Sequence, residues 1–224
     1  MAAFAHAVSL GYRYVECDVH ASADGRVVVF HDASLERLTG WRRLVTETTA
    51  SELGALRVAG EPIATLEEVL RTWPELRVIV ELKCDRVAER LAQLLDGLHA
   101  YERVCVGSFV DARIARLRRL ASGRVCASVG RRGALRLRLR SLGLPLSRPE
   151  ADCAQVPLRY RGLPVVDRRF VERCHRDGLP VHVWTVNDIA VAERLLDDGT
   201  DGIITDRPTA LRALFERRGA WRDE

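Results

Sequence analysis

The sequence predicts an α/β fold built around a parallel β-sheet. Short apolar runs alternate along the chain with helical segments of about 10–15 residues, which is the pattern of consecutive βαβ units. Of the 224 residues, 47% are apolar and 29% are charged, the composition of a globular protein. No apolar run approaches the roughly 18 residues of a membrane-spanning helix. The net charge of +4 is too small to indicate a nucleic-acid partner.

The elements follow from local signals. An Ala-rich helix opens the chain, and the turn Ala23–Gly25 joins the first two strands into a hairpin. After an irregular stretch, Thr65 caps a helix, and Pro208 lies in the first turn of the last helix. The predicted helices span Ala2–Leu10, Leu66–Thr72, Asp85–Ala100, Asp111–Leu120, Arg132–Leu142, Arg168–Asp177, Asp188–Asp197 and Pro208–Arg218. The predicted strands span Tyr12–Val19, Arg26–Phe30, Leu76–Lys83, Arg103–Gly107, Arg124–Ser128, Asp152–Val156, Pro180–Val186 and Asp201–Thr205.

Seven of these strands, all except the hairpin arm Arg26–Phe30, fit one barrel. A (β/α)₈ barrel needs eight strands, typically in about 250 residues, and this sequence begins inside a helix. We therefore predict a (β/α)₈ TIM barrel that lacks its first strand, with the β-hairpin arm and a small insertion, about residues 20–64, after the first strand present. The prediction places residues 1–224 in a single domain. The alternative, an open doubly wound sheet, has no Gly-rich phosphate loop to support it.

Two features of the composition bear on chemistry and location. Arginine accounts for 34 of the 35 basic residues, so Lys83 is the only lysine. An ammonium is a compact charge with a titratable proton, so a position that kept lysine is a candidate for chemistry, with chance retention as the alternative. The six cysteines are spread singly, which is typical of free thiols in a reducing compartment. Because no signal peptide opens the sequence either, we expect a cytoplasmic protein.

Acidic residues end two of the predicted strands. Alternation along a strand puts Glu16 and Asp18 on one face, and it puts Glu81 and Lys83 on one face of another strand. Barrel chemistry lies at the carboxyl ends of the strands, where these side chains would meet. Carboxylates so close together cannot all stay ionised without a cation, and oxygen-only ligands favour Mg²⁺ or Ca²⁺. The alternative is that each acid caps a helix or faces solvent.

Histidine and tryptophan supply further candidates. His31 follows four apolar residues at the end of the hairpin arm, where it is either a general acid or base or a structural residue. His20 and His182 are expected in packing or orienting roles. Trp184 lies two residues beyond His182 on the same face, as an apolar wall that contacts substrate or as a core residue.

The ordered set of motifs resembles the glycerophosphodiester phosphodiesterase family over nearly the whole chain. That family has an Ala-rich helix and a glycine before an E-x-D-V strand, as at Gly11 and Glu16–Val19 here. Each motif is weak alone, but their order is specific. The motifs that carry the likeness are Phe4–Ala7, Gly11–Val19, Asp24–Gly25, Val28–Asp32, Leu35, Arg37, Ile63–Leu70, Glu81–Lys83, Ser108–Phe109, Val183–Asn187 and Gly202–Pro208.

The resemblance implies metal-dependent hydrolysis of glycerophosphodiesters to an alcohol and glycerol 3-phosphate. By that likeness Glu16, Asp18 and Glu81 match the ligands of a divalent cation, Mg²⁺ or Ca²⁺. His31 matches one of two catalytic histidines, and Lys83 matches a contact with the substrate phosphate. The substrate would be a small glycerophosphodiester or a lysophospholipid-like molecule of lipid metabolism. In the family, the glycerol 2-hydroxyl is often taken as the nucleophile, giving a cyclic phosphate that water then opens.

One family motif lies outside this sequence. The family's first strand ends in His-Arg-Gly, which supplies the second catalytic histidine and an arginine that contacts phosphate. The sequence begins beyond that point, inside the helix that follows. We therefore expect the 224-residue chain to bind Mg²⁺ or Ca²⁺ weakly and to hydrolyse glycerophosphodiesters very slowly or not at all unless upstream residues are supplied. The alternative is a non-catalytic phosphate- or metal-binding remnant of the same fold.

An arginine-rich run offers a third interpretation. Residues Arg131–Arg140 alternate arginine with leucine over much of their length, and such a run can bind nucleic acid or acidic headgroups. We favour instead a solvated helix face with the leucines turned inward. No aromatic residues are interleaved, as binding to a single nucleic-acid strand would require.

Overall fold

A computed structural model describes residues 1–221, and these fall into two compact units, the first spanning Met1–Cys126 and the second beginning at Ala127. The helices of the first unit are α1 (Ala2–Ser9), α2 (Glu36–Thr39), α3 (Ala50–Ala55), α4 (Leu66–Thr72), α5 (Val87–Leu98) and α6 (Asp111–Leu120), with 3₁₀ turns at Val45–Glu47 and Tyr101–Arg103. Its strands are β1 (Tyr14–Ala21), β2 (Val27–Val29), β3 (Arg57–Val58), β4 (Glu61–Pro62), β5 (Arg77–Leu82), β6 (Val104–Gly107) and the start of β7 (Cys126–Ala127).

The sheet of the first unit places the candidate site. Strands β1, β5 and β6 pair side by side in parallel, and β2 pairs antiparallel with the end of β1, with Val19 opposite Val29. The predicted parallel strands and hairpin arm are therefore confirmed. Alternate residues of β5, among them Val80 and Leu82, are fully buried, so Glu81 between them lies on the other face. The strand alternation in this parallel sheet thus places the Glu81 side chain on the face of β5 opposite the buried Val80 and Leu82.

The stretch between β2 and α4 contains short elements that the sequence pattern did not predict. Thr49 begins α3 with a capping box, in which its side chain accepts from the Glu52 backbone and Glu52 accepts in return. Strands β3 and β4 form a small antiparallel hairpin. Leu35, Val45 and Leu53 are completely buried in a cluster of their own, which orders the segment without long helices. The predicted cap of α4 is confirmed as a second capping box at Thr65.

The second unit has its own sheet and core. Its helices are α7 (Arg131–Ser141), α8 (Arg168–Arg176), α9 (Ile189–Asp197) and α10 (Pro208–Arg217), and its strands are β8 (Ala154–Pro157), β9 (Arg159–Tyr160), β10 (Leu163–Pro164), β11 (Val181–Trp184) and β12 (Gly202–Ile203). Strands β8 and β12 flank β11 in parallel. Val156, Val183 and Phe170 lie in the buried core. Each of the seven predicted barrel strands therefore corresponds to an observed strand.

Two features of the second unit differ from expectation. The antiparallel hairpin β9–β10 was not predicted, because its strands have only two residues each. The leucines of α7 do not all turn inward: Leu137 is fully buried, whereas Leu135 is 60% exposed. The physical reason is the helix period, since two residues span about 200° and so point to opposite sides. None of the helices in the described part of the chain combines the length and apolarity needed to cross a membrane.

Candidate active site and metal centre

The acidic residues predicted at the strand ends come together where β1 and β5 pair. In the parallel register, Asp18 lies opposite Glu81. Glu16 and Asp18 are half-buried on one face of β1, whereas Cys17 between them is buried on the other. Burial, reinforced by the neighbouring Glu16 and Asp18 charges, raises the pKa of the Cys17 thiol well above its usual range. Cys17 is therefore a neutral packing residue and not a ligand.

The three carboxylates form a compact oxygen cluster. One side-chain oxygen from each of Glu16, Asp18 and Glu81 lies within 4.8 Å of the other two. Spacing of this kind lets one cation contact all three, and hard divalent cations prefer ligand sets made of oxygen alone. The donor set therefore fits a hard divalent cation.

Lys83 lies against the same cluster. Its Nζ is 2.9 Å from Asp18 Oδ1 and donates to Glu81 Oε1 at 3.1 Å. Burial by itself lowers the pKa of the Lys83 ammonium, but the hydrogen bond and charge of Asp18 and the charge of Glu81 outweigh it, and the pKa is raised. The only lysine of the chain is therefore a fixed positive charge beside the acidic cluster.

His31 is accessible and is oriented by a charged neighbour. The backbone N–H of Phe30 donates to the Asp18 carbonyl at 3.0 Å, which ties the chain just before His31 to β1. The His31 side chain is 65% exposed, and its Nδ1 lies 2.7 Å from Asp32 Oδ1. Arg37 donates to both oxygens of Asp32, at 2.6 and 3.0 Å. These bonds, with Arg37 contributing more than His31, lower the pKa of Asp32, so a carboxylate orients the ring.

Asp32 and Arg37 have no role among the sequence-based predictions. The sequence does contain a signal for such a role. Asp32 directly follows His31, and Arg37 lies five residues after Asp32, a spacing that allows the arginine to hold a carboxylate that in turn orients the imidazole. His20 was expected only to pack or orient. It is 2% exposed, and its Nε2 lies 3.4 Å from the His31 carbonyl oxygen. Burial, the largest cause, lowers the pKa of His20, so its ring is neutral at pH 7.

Two side chains from the next βα unit, Ser108 in the loop after β6 and Arg113 on α6, support the end of β5. Ser108 Oγ donates to the Leu82 carbonyl at 2.9 Å, and an Arg113 guanidinium N–H donates to the same oxygen at 3.1 Å. Arg113 also forms an ion pair with Asp85 at 2.6 Å. The carbonyl between Glu81 and Lys83 is thus held from two sides, which fixes the strand end that carries both.

Trp184 and His182 belong to the second unit. Trp184 ends β11 opposite Pro157 of β8 and is half-buried, and its contact with substrate stays a prediction. His182 lies against Gly202 of the neighbouring strand. A Cβ added at Gly202 would come within 2.8 Å of the imidazole, so this ring fills space in the sheet.

Known proteins resemble the chain along most of its length. Residues 1–210 match the glycerophosphoryl diester phosphodiesterase family. A probable glycerophosphodiester phosphodiesterase 2 of Mycobacterium tuberculosis is 37% identical over 230 residues, covering 99% of this chain and 86% of that protein.

Solved structures agree with this match. A putative glycerophosphoryl diester phosphodiesterase from Silicibacter pomeroyi superposes with a TM-score of 0.83 at 22% identity, covering 98% of this chain and 88% of that one. A phosphodiesterase from Oleispira antarctica, solved in complex with the product sn-glycerol-3-phosphate, gives 0.74 at 22% identity, covering 93% and 87%. The predicted fold class, the α/β barrel of these enzymes, is confirmed. The absence of a first strand stays a prediction. The chain belongs to the glycerophosphoryl diester phosphodiesterase family.

Proposed function

We propose that the cluster on β1 and β5 carries the activity of the family, the hydrolysis of glycerophosphodiesters to an alcohol and glycerol 3-phosphate. The observation that supports it is the convergence of Glu16, Asp18 and Glu81 beside the lone ammonium of Lys83. Carboxylates a few ångströms apart can all stay ionised only where positive charge compensates them. A phosphodiester brings one more negative charge to this place, which a bound cation and the Lys83 ammonium would together offset.

We propose Mg²⁺ or Ca²⁺ as the cation, because the three candidate ligands offer oxygen alone. Glu16, Asp18 and Glu81 would hold it. When bound, such an ion offsets the charge that develops on the phosphoryl oxygens. Lys83 adds a positive charge of the chain's own, and its bonds to Asp18 and Glu81 keep the ammonium protonated and in place for a phosphate oxygen.

His31 is the proposed acid–base residue. With Nδ1 donating to Asp32, its Nε2 is free of that bond and can accept a proton from the nucleophile or give one to the leaving alkoxide. Its exposure lets a substrate reach the ring, and the Arg37–Asp32 pair holds the ring's orientation. His20 remains neutral and bonds the His31 carbonyl, so we propose a positioning role for it.

We further propose a cellular setting, a substrate class and an apolar contact. All six cysteines are free thiols, which is consistent with a reducing compartment such as the cytoplasm. A glycerophosphodiester or a lysophospholipid-like molecule is the proposed substrate. Trp184, at the end of β11, is the proposed apolar contact for the leaving alcohol.

The test compares Glu81→Gln with Glu75→Gln. Both replace a carboxylate by its amide, but Glu81 belongs to the cluster, whereas Glu75 is exposed just before the other end of β5. Release of glycerol 3-phosphate is measured with Mg²⁺, with Ca²⁺ and with a chelator, and cation affinity is measured by calorimetry. We expect chelation to stop turnover. Glu81→Gln should lower affinity and turnover at least about 100-fold, and Glu75→Gln neither.

The outcomes separate the alternatives. Turnover that survives chelation, or equal losses in the two variants, would contradict the proposed site. Tight cation binding through Glu81 without turnover under any condition would favour the non-catalytic remnant. The cation affinities measured by calorimetry test whether Glu81 is a metal ligand even where turnover is slow.

A further inference from the structure

The β9–β10 hairpin of the second unit has a geometry that the proposed hydrolysis does not use. Its two strands are joined by Arg161 and Gly162 alone, which both have positive φ, 50° and 81°. Two such residues form the tight turn whose twist matches an antiparallel ribbon. In the register, Tyr160 lies opposite Leu163. Directly opposed residues point to the same face, so these two side chains stand next to each other on a rigid turn.

The apolar pair on this hairpin is open to solvent. Leu163 is 72% exposed, the highest value among the large apolar residues of the described chain, and Tyr160 is 38% exposed. Apolar side chains exposed singly are common and carry no meaning. Here an aliphatic and an aromatic residue are exposed together at the tip of a β-hairpin. Both side chains can therefore insert into an apolar environment without any change in the fold.

The charges on the hairpin lack acidic partners. Arg159 donates to the Gly162 carbonyl at 3.1 Å, and the Arg161 guanidinium lies 5.7 Å from the centre of the Tyr160 ring. Within the described residues, no carboxylate forms an ion pair with either arginine, in contrast to Arg138 and Arg140 of α7. The sequence between 127 and 166 has eight arginines against two acidic residues. The hairpin therefore presents uncompensated positive charge within a basic segment.

The hairpin also stands at a defined place in its sheet. Strand β8 ends at Pro157, opposite Trp184, and the hairpin begins two residues later. The backbone N–H of Leu158 donates to the Trp184 carbonyl at 3.4 Å. The hairpin is thus anchored at the carboxyl end of the second unit's parallel strands.

We propose that this hairpin docks the protein onto the surface of a bilayer that contains anionic lipid. Leu163 and Tyr160 enter the headgroup region, where an aromatic ring with a polar hydroxyl is at its most stable, and Arg159 and Arg161 bind lipid phosphates. Two side chains bury far less than the roughly 800 Å² that each partner contributes to a stable protein interface, which argues against a protein partner. A free phosphate would leave Leu163 and Tyr160 without a function.

The proposal is tested by co-sedimentation of the full chain with vesicles of phosphatidylcholine, with and without phosphatidylglycerol. We expect binding only to the anionic vesicles, weak and reversible, and decreasing with salt. Arg161→Asn should weaken vesicle binding about five-fold, since one Lys or Arg near an anionic membrane surface contributes about 1 kcal/mol to binding. Leu163→Ser should weaken it by a similar factor, because it removes the inserted apolar side chain. Asparagine is chosen because it tolerates the positive φ of the turn. Leu163→Trp should strengthen binding.

The matched control is Leu135→Ser. Leu135 is also a highly exposed leucine of the second unit, but it lies on α7. It should leave vesicle binding unchanged. Equal binding to neutral vesicles, or a larger loss from Leu135→Ser than from Leu163→Ser, would overturn the proposal, as would addition of soluble glycerol 3-phosphate abolishing binding. The readout needs no turnover, so its failure is separate from any failure of the proposed hydrolysis.

Discussion

The two units contain the same small motif in different surroundings. In the first, His31 lies 2.7 Å from the carboxylate of Asp32, and in the second, His175 lies 2.7 Å from that of Asp201. Asp32 is also held by Arg37, and the chain before His31 bonds the strand of the acidic cluster. Asp201 instead accepts the backbone N–H of Val181, within the sheet. The two pairs have the same local geometry, so the chemical role proposed for His31 rests on the backbone bond that places it beside the strand of the acidic cluster.

Charge is distributed differently in the two units as well. Residues 1–126 have 17 basic and 17 acidic residues, whereas residues 127–224 have 18 and 14, so the whole excess of +4 belongs to the second unit. The first unit concentrates its charge in a half-buried cluster whose members depend on one another. The second presents several arginines at its surface. Single substitutions should therefore affect chemistry in the first unit, and stability or surface binding in the second.

The largest effect is expected from His31→Ala in a chain extended upstream by a strand that ends in His-Arg-Gly. Removing the proposed proton donor and acceptor should lower turnover of a glycerophosphodiester by about 10²–10⁴-fold, the usual contribution of general acid–base catalysis. The control is His175→Ala, which removes the equivalent ring from the other pair. It should leave turnover within about two-fold, because the ring is partly exposed, pairs with Asp201 and contacts none of the proposed ligands. The measurement is the initial rate of glycerol 3-phosphate release by each variant. Equal losses of turnover would contradict a special catalytic role for His31.

In the same extended chain, Lys83→Arg should have the next largest effect, about 10²-fold on turnover. The charge is kept, but a guanidinium is longer and planar, and it would crowd oxygens that now lie 2.9 and 3.1 Å from Nζ. The matched control is Arg71→Lys, which exchanges the same two residue types at an exposed ion pair with Glu67. Wild-type turnover in Lys83→Arg would show that the only lysine is incidental.

The sequence predicted most of the site, because strand alternation is a local rule. Glu16, Asp18, Glu81 and Lys83 were placed from a period of two residues, and the structure brings them together. The bond from His20 to the His31 carbonyl was not foreseen, since it depends on how β1 packs against the chain after β2. Strand type and order along the chain were likewise predictable from apolar runs.

What escaped prediction was set by tertiary contacts or very short elements. The ribbon β9–β10 has no apolar periodicity that could signal it, and only its Arg-Gly turn is a local cue. The buried cluster of Leu35, Val45 and Leu53 orders a segment whose sequence looks irregular. On α7, alternate leucines suggested one apolar side, but the helix period exposes Leu135 and buries Leu137.

The smallest effect is expected at a structural ion pair of the second unit. Arg140 donates to both oxygens of Asp177, at 3.0 and 2.8 Å, and both side chains are largely buried. Arg140→Met should lower the free energy of unfolding by about 2 kcal/mol, since a charge-assisted bond is lost and a carboxylate is left poorly paired. Arg168→Met, at an exposed pair with Glu172, should cost at most about 0.5 kcal/mol.

The pH dependence of the stability difference between the wild type and Arg140→Met shows whether the charge of Arg140 causes it. The hydrogen bond from Arg140 lowers the pKa of Asp177 below its ordinary value of 3.8. A carboxyl with a depressed folded-state pKa stabilises the fold above its unfolded value and loses that contribution as pH falls through the folded one. Urea denaturation of the wild type and Arg140→Met should therefore show the full gap at pH 7 and a shrinking gap as pH falls below about 4. A gap that stays constant into acid would mean that Arg140 stabilises the unit through the packing of its methylene groups, and not through its charge.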